Sequence, residues 1–252
     1  MHRVHFPGTL SVMTSPPDAD SLRERKRRST MVAIETAATS LVLEHGYDCV
    51  TVDQICSQAQ VSKRTFFNYV PSKEAAVIGS PPAEVPEGHR ADFLDAVDPD
   101  VPGALLRLFL GAFEAARVAD DAQTAVLAHR RREIFRANPE LGAARMTASY
   151  RFQIRLVDLV TEHFRRHPFL RSLDGVPAEA EARACVALVA ASANLGFSTW
   201  LTREAATFDN LHVECATALR QLALLVTRPA DSEPNVTEPS VTHHSEHTGT
   251  PS

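Results

Sequence analysis

Three helix starts fall between Thr51 and Ser72, which forces this part of the chain into very short helices joined by tight turns. In "TVDQICSQAQVSKRTFFNYVPSK", Thr51 stands three residues before Gln54, the capping-box spacing in which each side chain satisfies the other's free N–H. The helix it opens can run only to about Ala59, because "QVS" follows and Ser62 is itself a good N-cap. Pro71 disfavours α geometry at Val70 and closes that third helix, and Ser72 then caps "KEAAVI". Two short helices with a turn of about three residues between them form a helix-turn-helix.

A longer helix precedes them. In "MVAIETAATSLVLEHGYD", Ile34, Ala38 and Leu41 make one apolar stripe, widened by Ala37 and Val42, and Gly46 ends it. Within the third helix Phe66 and Val70 share an inward face with Val61, whereas Lys63, Arg64, Phe67 and Asn68 point elsewhere. Lys73 sits in the first turn of the fourth helix, where the dipole disfavours a cation; a phosphate placed there would turn that cost into an attraction.

The stretch "SPPAEVPEGHR" at 80–90 holds three prolines and a glycine and marks a joint. Beyond it, apolar residues recur at three- and four-residue spacing, as in Leu105, Leu108, Phe109 and Ala112. Breakers divide this text into helices near 102–118, 122–137, 140–166, 178–201 and 208–227. No segment alternates with period two for long enough to be a strand, so the expected fold is all-α. The expected organisation is a disordered leader at 1–21, a helix-turn-helix module at 22–80 with its core motif at about 51–70, a linker at 81–101, a helical bundle at 102–228 and a disordered tail at 229–252. Met13 lies inside the leader and is a second candidate start of translation.

Net charge is −5, so any surface for a polyanion has to be local; "RERKRR" at 23–28, just before the helix-turn-helix, is such a surface. Replacing Arg25, Lys26, Arg27 and Arg28 should flatten the salt dependence of DNA binding by up to about one unit per lost phosphate contact. Cys49, Cys56, Cys185 and Cys215 form neither a C-x-x-C pair nor a zinc spacing, and they read as reduced thiols of a cytoplasmic protein. No apolar run reaches the roughly 18 residues of a membrane span, and the leader lacks a signal peptide's apolar core. There is no G-x-S-x-G, P-loop, G-x-G-x-x-G or H-E-x-x-H, so neither an enzyme nor a cofactor is expected. His163 and His167 have the spacing of a helical metal pair, but Arg165 and Arg166 repel a cation there, and no metal is expected. "HHSEH" at 243–247 and the sequon "NVT" at 235 read as inert.

The segment from Ala33 to Val77 resembles the DNA-binding domain of TetR-family transcriptional regulators. The shared landmarks are the Ala37-Ala38 pair, Gly46-Tyr47, Thr51, Ile55, Ala59, Val61-Ser62, Thr65, the aromatic at 67, Tyr69 and Ser72-Lys73. The resemblance implies that the third helix enters the major groove of double-stranded DNA. It gives phosphate contacts to Thr51, Tyr69 and Lys73, and base contacts to Lys63, Arg64, Phe67 and Asn68, with Ser62 and Thr65 on the same surface. Lys or Arg can donate to guanine and a phenyl ring can pack on a thymine methyl, whereas phosphate contacts fix only the register. Three positions depart from the family pattern. Gln60 replaces the usual glycine of the turn, at about 1 kcal/mol if the residue is left-handed. Phe67 stands where tyrosine is commoner, and Met31 where arginine is frequent.

"ARACVALVAASANLGFSTWL" and "ECATALRQLALLV" combine small residues with apolar ones, so that helices at about 178–227 can bury one face inward and another against a partner. The resemblance implies a two-fold homodimer there, hence a palindromic operator. It also implies a small-molecule ligand, of unknown identity, in the bundle, with Phe109, Phe113, Ile134, Phe152, Leu156 and Phe197 as candidate pocket residues. Among His129, Arg130, Arg131, Arg132, Arg151 and Arg155, one or two facing inward would favour an anionic or acyl-type ligand. The leading expectation is a ligand-responsive repressor. The alternative is a helical protein-interaction module with a degenerate helix-turn-helix.

Overall fold

Local capping sets the first helices of the computed structural model, which describes residues 19–79, 82, 84–203 and 206–227. Helix α1 (Ala19–His45) runs to Gly46, whose φ of 83° turns the chain. At α2 (Val52–Ala59) the capping box is complete: Thr51 Oγ1 accepts from the Gln54 N–H at 3.3 Å, and Gln54 Oε1 accepts from the Thr51 N–H at 2.8 Å. Ser62 caps α3 (Lys63–Tyr69) by accepting from Thr65 at 3.0 Å, and Ser72 caps α4 (Lys73–Ile78) by accepting from Ala75 at 3.0 Å. Gln60 does occupy the left-handed region, at φ 55° and ψ 41°; the turn is held there by the Val61 N–H donating to the Cys56 carbonyl at 3.0 Å.

Two boundaries differ from the sequence reading. Residues 19–21, expected in the leader, belong to α1. The linker expected at 81–101 contains a helix, α5 (Glu87–Asp95). The prolines that argue against a helix there all lie at or before Pro86, which is the N-cap position, where a missing N–H costs nothing; Phe93 and Leu94 are buried and anchor the helix. The rest of the leader with Met13, and the tail with "NVT" and "HHSEH", lie outside the described residues.

The bundle follows as α6 (Val101–Ala116), α7 (Asp121–Ala137), α8 (Pro139–Arg166), α9 (Ala178–Trp200) and α10 (Phe208–Thr227), each within two residues of its expected span. A short 3-10 turn, Pro168–Leu170, follows α8. Among the described residues no strand occurs, and the chain is all-α as expected. Its core gathers Leu105, Leu156, Leu159, Phe164, Val189 and Trp200. A second core fills the N-terminal module around Ile34, Ile55, Phe66 and Val77, and it also takes in Ile134 from α7 and Leu141 from α8. The two modules therefore share buried surface.

Helices α9 and α10 pack along each other, and Gly196 sets how closely. A Cβ at Gly196 would lie 2.5 Å from the Cα of Cys215, a backbone atom that cannot rotate away. Gly196→Ala should push the pair apart and destabilise the bundle by about 1–3 kcal/mol, as overpacking does. Urea unfolding followed by circular dichroism measures this, and an unchanged midpoint would contradict the close approach.

Candidate nucleic-acid interface and the adjoining cavity

Helix α3 is mounted by its inner face and presents its outer one. Phe66 is fully buried and Val70 nearly so, while its neighbour Phe67 is 54% exposed, crossing the Phe66 ring edge-on at 5.2 Å. Lys63, Arg64 and Asn68 are exposed on the same turn of helix as Phe67. Arg64 has no ion pair among the described residues. Lys63 is held by Asp53 of α2 at 2.8 Å, and that carboxylate, hydrogen-bonded to the ammonium, raises the lysine's pKa. To reach a base, Lys63 has to leave Asp53, whereas Arg64 gives up nothing. Sequence reasoning did not find Asp53, because nothing local links α2 to α3 across the turn.

The remaining predicted contacts divide between framework and surface. Thr51 and Ser62 are exposed caps, and Thr65 shares its hydroxyl with Ser62 at 2.8 Å. Tyr69 is half-buried against the N-terminal core. Lys73 donates to the carbonyls of Tyr47 at 2.8 Å and Val50 at 3.0 Å, and its ammonium sits 4.0 Å from the centre of the Tyr47 ring. Lys73 thus straps the loop between α1 and α2 to α4, with two of its three N–H donors on those carbonyls. Of the basic run, Arg27 and Arg28 pair with Glu24 at 3.0 and 3.2 Å.

Behind this surface, where α1 meets the bundle, lies a cavity of about 370 Å³. Phe113, Leu127, Phe197, Trp200, Phe208 and Leu211 are its large apolar lining residues, and α1 contributes Arg27, Met31 and Glu35. Trp200 is fixed by its Nε1–H donating to the Thr207 carbonyl at 2.7 Å. Arg117 pairs with Asp121 and lies 4.8 Å from the Phe208 ring, while Asp121 also accepts from the Phe208 N–H at 3.0 Å. That N–H and the Arg117 guanidinium hold the Asp121 carboxyl below its ordinary pKa.

Of the six expected pocket residues, Phe113 and Phe197 line this cavity. Phe152 and Leu156 are fully packed in the bundle core with Phe109 against them, and Ile134 belongs to the N-terminal core. Of the polar candidates, Arg131 is the one that faces inward into the cavity. Its Nη2 is 2.9 Å from Glu35 Oε2, with side chains 19% and 8% exposed, and its Nε donates to the Val77 carbonyl at 3.0 Å. The Nη2–Glu35 approach is a charge contact without hydrogen-bond alignment. Arg145, which sequence reasoning missed, donates to the Gly79 carbonyl at 3.3 Å and sits 6.0 Å from the Phe113 ring. Burial, and then the nearby charge of Arg131, push its pKa down to about 10. A Cβ on Gly79, at φ 70°, would come within 2.5 Å of the Arg131 guanidinium, so this passage admits only glycine. Arg130 donates to the Thr36 carbonyl of α1 at 3.3 Å.

His163 is buried against Phe93, ring centres 4.7 Å apart, and His167 is within 3.0 Å of the Leu94 carbonyl. Among the described residues no group of three or more His, Cys, Asp or Glu side chains is placed to hold a metal, and no helix is long and apolar enough to cross a membrane.

The family model for bacterial regulatory proteins, tetR family, matches residues 34–77, which is the module just described from mid-α1 to α4. Residues 34–77 thus carry the DNA-binding module of the TetR family. Two curated proteins of the same kind are similar to it. TcmR of Streptomyces glaucescens, an HTH-type transcriptional regulator, is 36% identical over 109 residues, covering 42% of this chain and 46% of TcmR. YdeS of Bacillus subtilis (strain 168), an uncharacterized HTH-type transcriptional regulator, is 44% identical over 61 residues, 24% of this chain and 31% of YdeS. The chain spans less than half the length of these curated relatives. A Mesorhizobium loti crystal structure of a TetR-family chain covers 83% of this one at 17% identity and a TM-score of 0.43, too loose an overlap to bear on the site.

Proposed function

We propose that this TetR-family chain is a sequence-specific DNA-binding transcriptional repressor, not an enzyme, that acts in the cytoplasm as a homodimer and leaves a palindromic operator when a small molecule binds its bundle. The observation that carries the reading is the outer face of α3: Arg64, Phe67 and Asn68 stand exposed on a helix whose inner face is locked by Phe66 and whose start is fixed by Ser62. A cationic fork and an apolar ring side by side suit guanine and thymine edges in the major groove. Lys63, Thr51, Tyr69 and Lys73 flank that face as phosphate and base contacts of second rank. Dimerisation is supported by α9 and α10, where Leu195, Val213, Leu224 and Leu225 are apolar and exposed, Leu225 at 76%. Two α3 helices related by a two-fold axis require a roughly palindromic site.

The test is a gel shift against the DNA upstream of the chain's own coding sequence. Arg64→Ala should weaken specific binding by about 1–3 kcal/mol, roughly five- to 150-fold, without moving the melting temperature, because the side chain is exposed. Lys63→Ala should cost less, since its ion pair with Asp53 is given up on binding. Absence of any complex at low salt would sink the reading in favour of a protein-interaction module.

A further inference from the structure

Among the described residues, the cavity at the joint is lined by more positive than negative charge. Three arginines and one carboxylate line it, and Arg145 stands just behind Phe113. Arg27 is taken by Glu24 and Arg117 by Asp121. That leaves Arg131 and Arg145, two largely buried guanidiniums, to share Glu35. Buried charge without a partner is costly, and an Arg131 Nη2 donor also lacks an aligned acceptor among the described residues. The same space is walled by the rings of Phe113, Phe197, Trp200 and Phe208, surfaces on which a flat ring system stacks. Its volume of about 370 Å³ is near the lower end for small-molecule sites, which begin at roughly 300 Å³.

We infer that the cavity binds a ring-bearing organic anion whose charged group displaces Glu35 from Arg131, so that the ligand itself unfastens α1 from α7. Among the described residues Glu35 is the only carboxylate in the wall, and it belongs to the N-terminal module. Once Arg131 is taken, the buried carboxylate keeps only the more distant charge of Arg145, and outward movement of α1 toward water relieves it. The ligand therefore acts on the reading module by direct contact with α1. This deepens the ligand-release reading above and rests on it for the consequence at DNA, though not for binding.

The experiment uses the full chain without DNA, so that failure of operator binding and failure of this inference are read separately. The probes are 8-anilinonaphthalene-1-sulfonate and N-phenyl-1-naphthylamine, which share their rings and differ by the sulfonate. Fluorescence titration should show the sulfonate bound about tenfold or more tighter than the neutral amine. Glu35→Gln should tighten the sulfonate several-fold and leave the amine unchanged, Arg131→Gln should weaken the sulfonate about tenfold, and Leu127→Trp, which fills the cavity, should abolish both. Hydrogen exchange over residues 30–38 of α1 should rise on sulfonate binding. Equal affinities for the two probes, sulfonate affinity unmoved by Glu35→Gln, or binding that survives Leu127→Trp would overturn the site. Unchanged exchange in α1 would overturn the unfastening. Should Leu127→Trp or Arg131→Gln fail to fold, the response to Glu35→Gln decides, because a probe bound elsewhere would not feel it.

Discussion

Phe66→Ala should cost the N-terminal module about 3–5 kcal/mol, enough to leave it largely unfolded, while Phe67→Ala next to it should move stability by no more than about 0.5 kcal/mol. The contrast rests on two rings adjacent in sequence and opposite in environment. Phe66 has no exposed surface and packs among Ile34, Ile55 and Val77, so its removal loses the transfer energy of the ring and leaves a void that those neighbours only partly close. Phe67 is more than half in water already. Urea unfolding and operator affinity, measured together, separate the two: Phe66→Ala should lose both, and Phe67→Ala only affinity. A Phe66→Ala protein with a midpoint within error of the parent would show that α3 is not mounted as described.

Glu35→Ala carries the second large effect, about 3 kcal/mol of destabilisation. Removing one member of a buried ion pair costs about 3–5 kcal/mol, because the other charge stays behind without compensation. The lower end applies because Arg131 keeps the Val77 carbonyl and is 19% exposed. The sign reverses when both charges go. Replacing Glu35 and Arg131 together by leucine should recover most of the loss, since two charges no longer have to be desolvated. Thermal unfolding of the single and double variants gives the coupling directly. A double variant as unstable as the single one would mean that the pair contributes packing, not charge balance.

What the sequence made legible was local. Thr51 with Gln54, Ser62, Ser72 and Pro71 act within four residues of themselves, so helix starts and stops can be read without knowing the fold, whereas the sequence leaves open whether Gln60 is left-handed, as it is. The inward face of α3 followed from helical spacing alone. The helix at 87–95 was hidden because its signal is a pair of buried residues, Phe93 and Leu94, behind a proline-rich entry. The joint was hidden for a different reason. Arg131 with Val77, Arg145 with Gly79 and Lys73 with Val50 are 54, 66 and 23 residues apart, and no periodicity or cap encodes such pairings. The cavity lies where the two modules meet, which no local signal encodes; Phe113 and Phe197 line it, whereas Phe152 and Leu156 are buried in the bundle core.

One of those long-range pairings bears on how a signal would travel. Helix α4 spans only Lys73–Ile78, about 9 Å of helix, too short to bend. Its first residue grips the loop that leads into Thr51, and the carbonyls of Val77 and Gly79 at its far end are gripped by Arg131 and Arg145. Such an element behaves as a lever fastened at both ends, with the arginines as its handle. A shift of those two guanidiniums would therefore be delivered to the loop before α2, at the opposite end of α4.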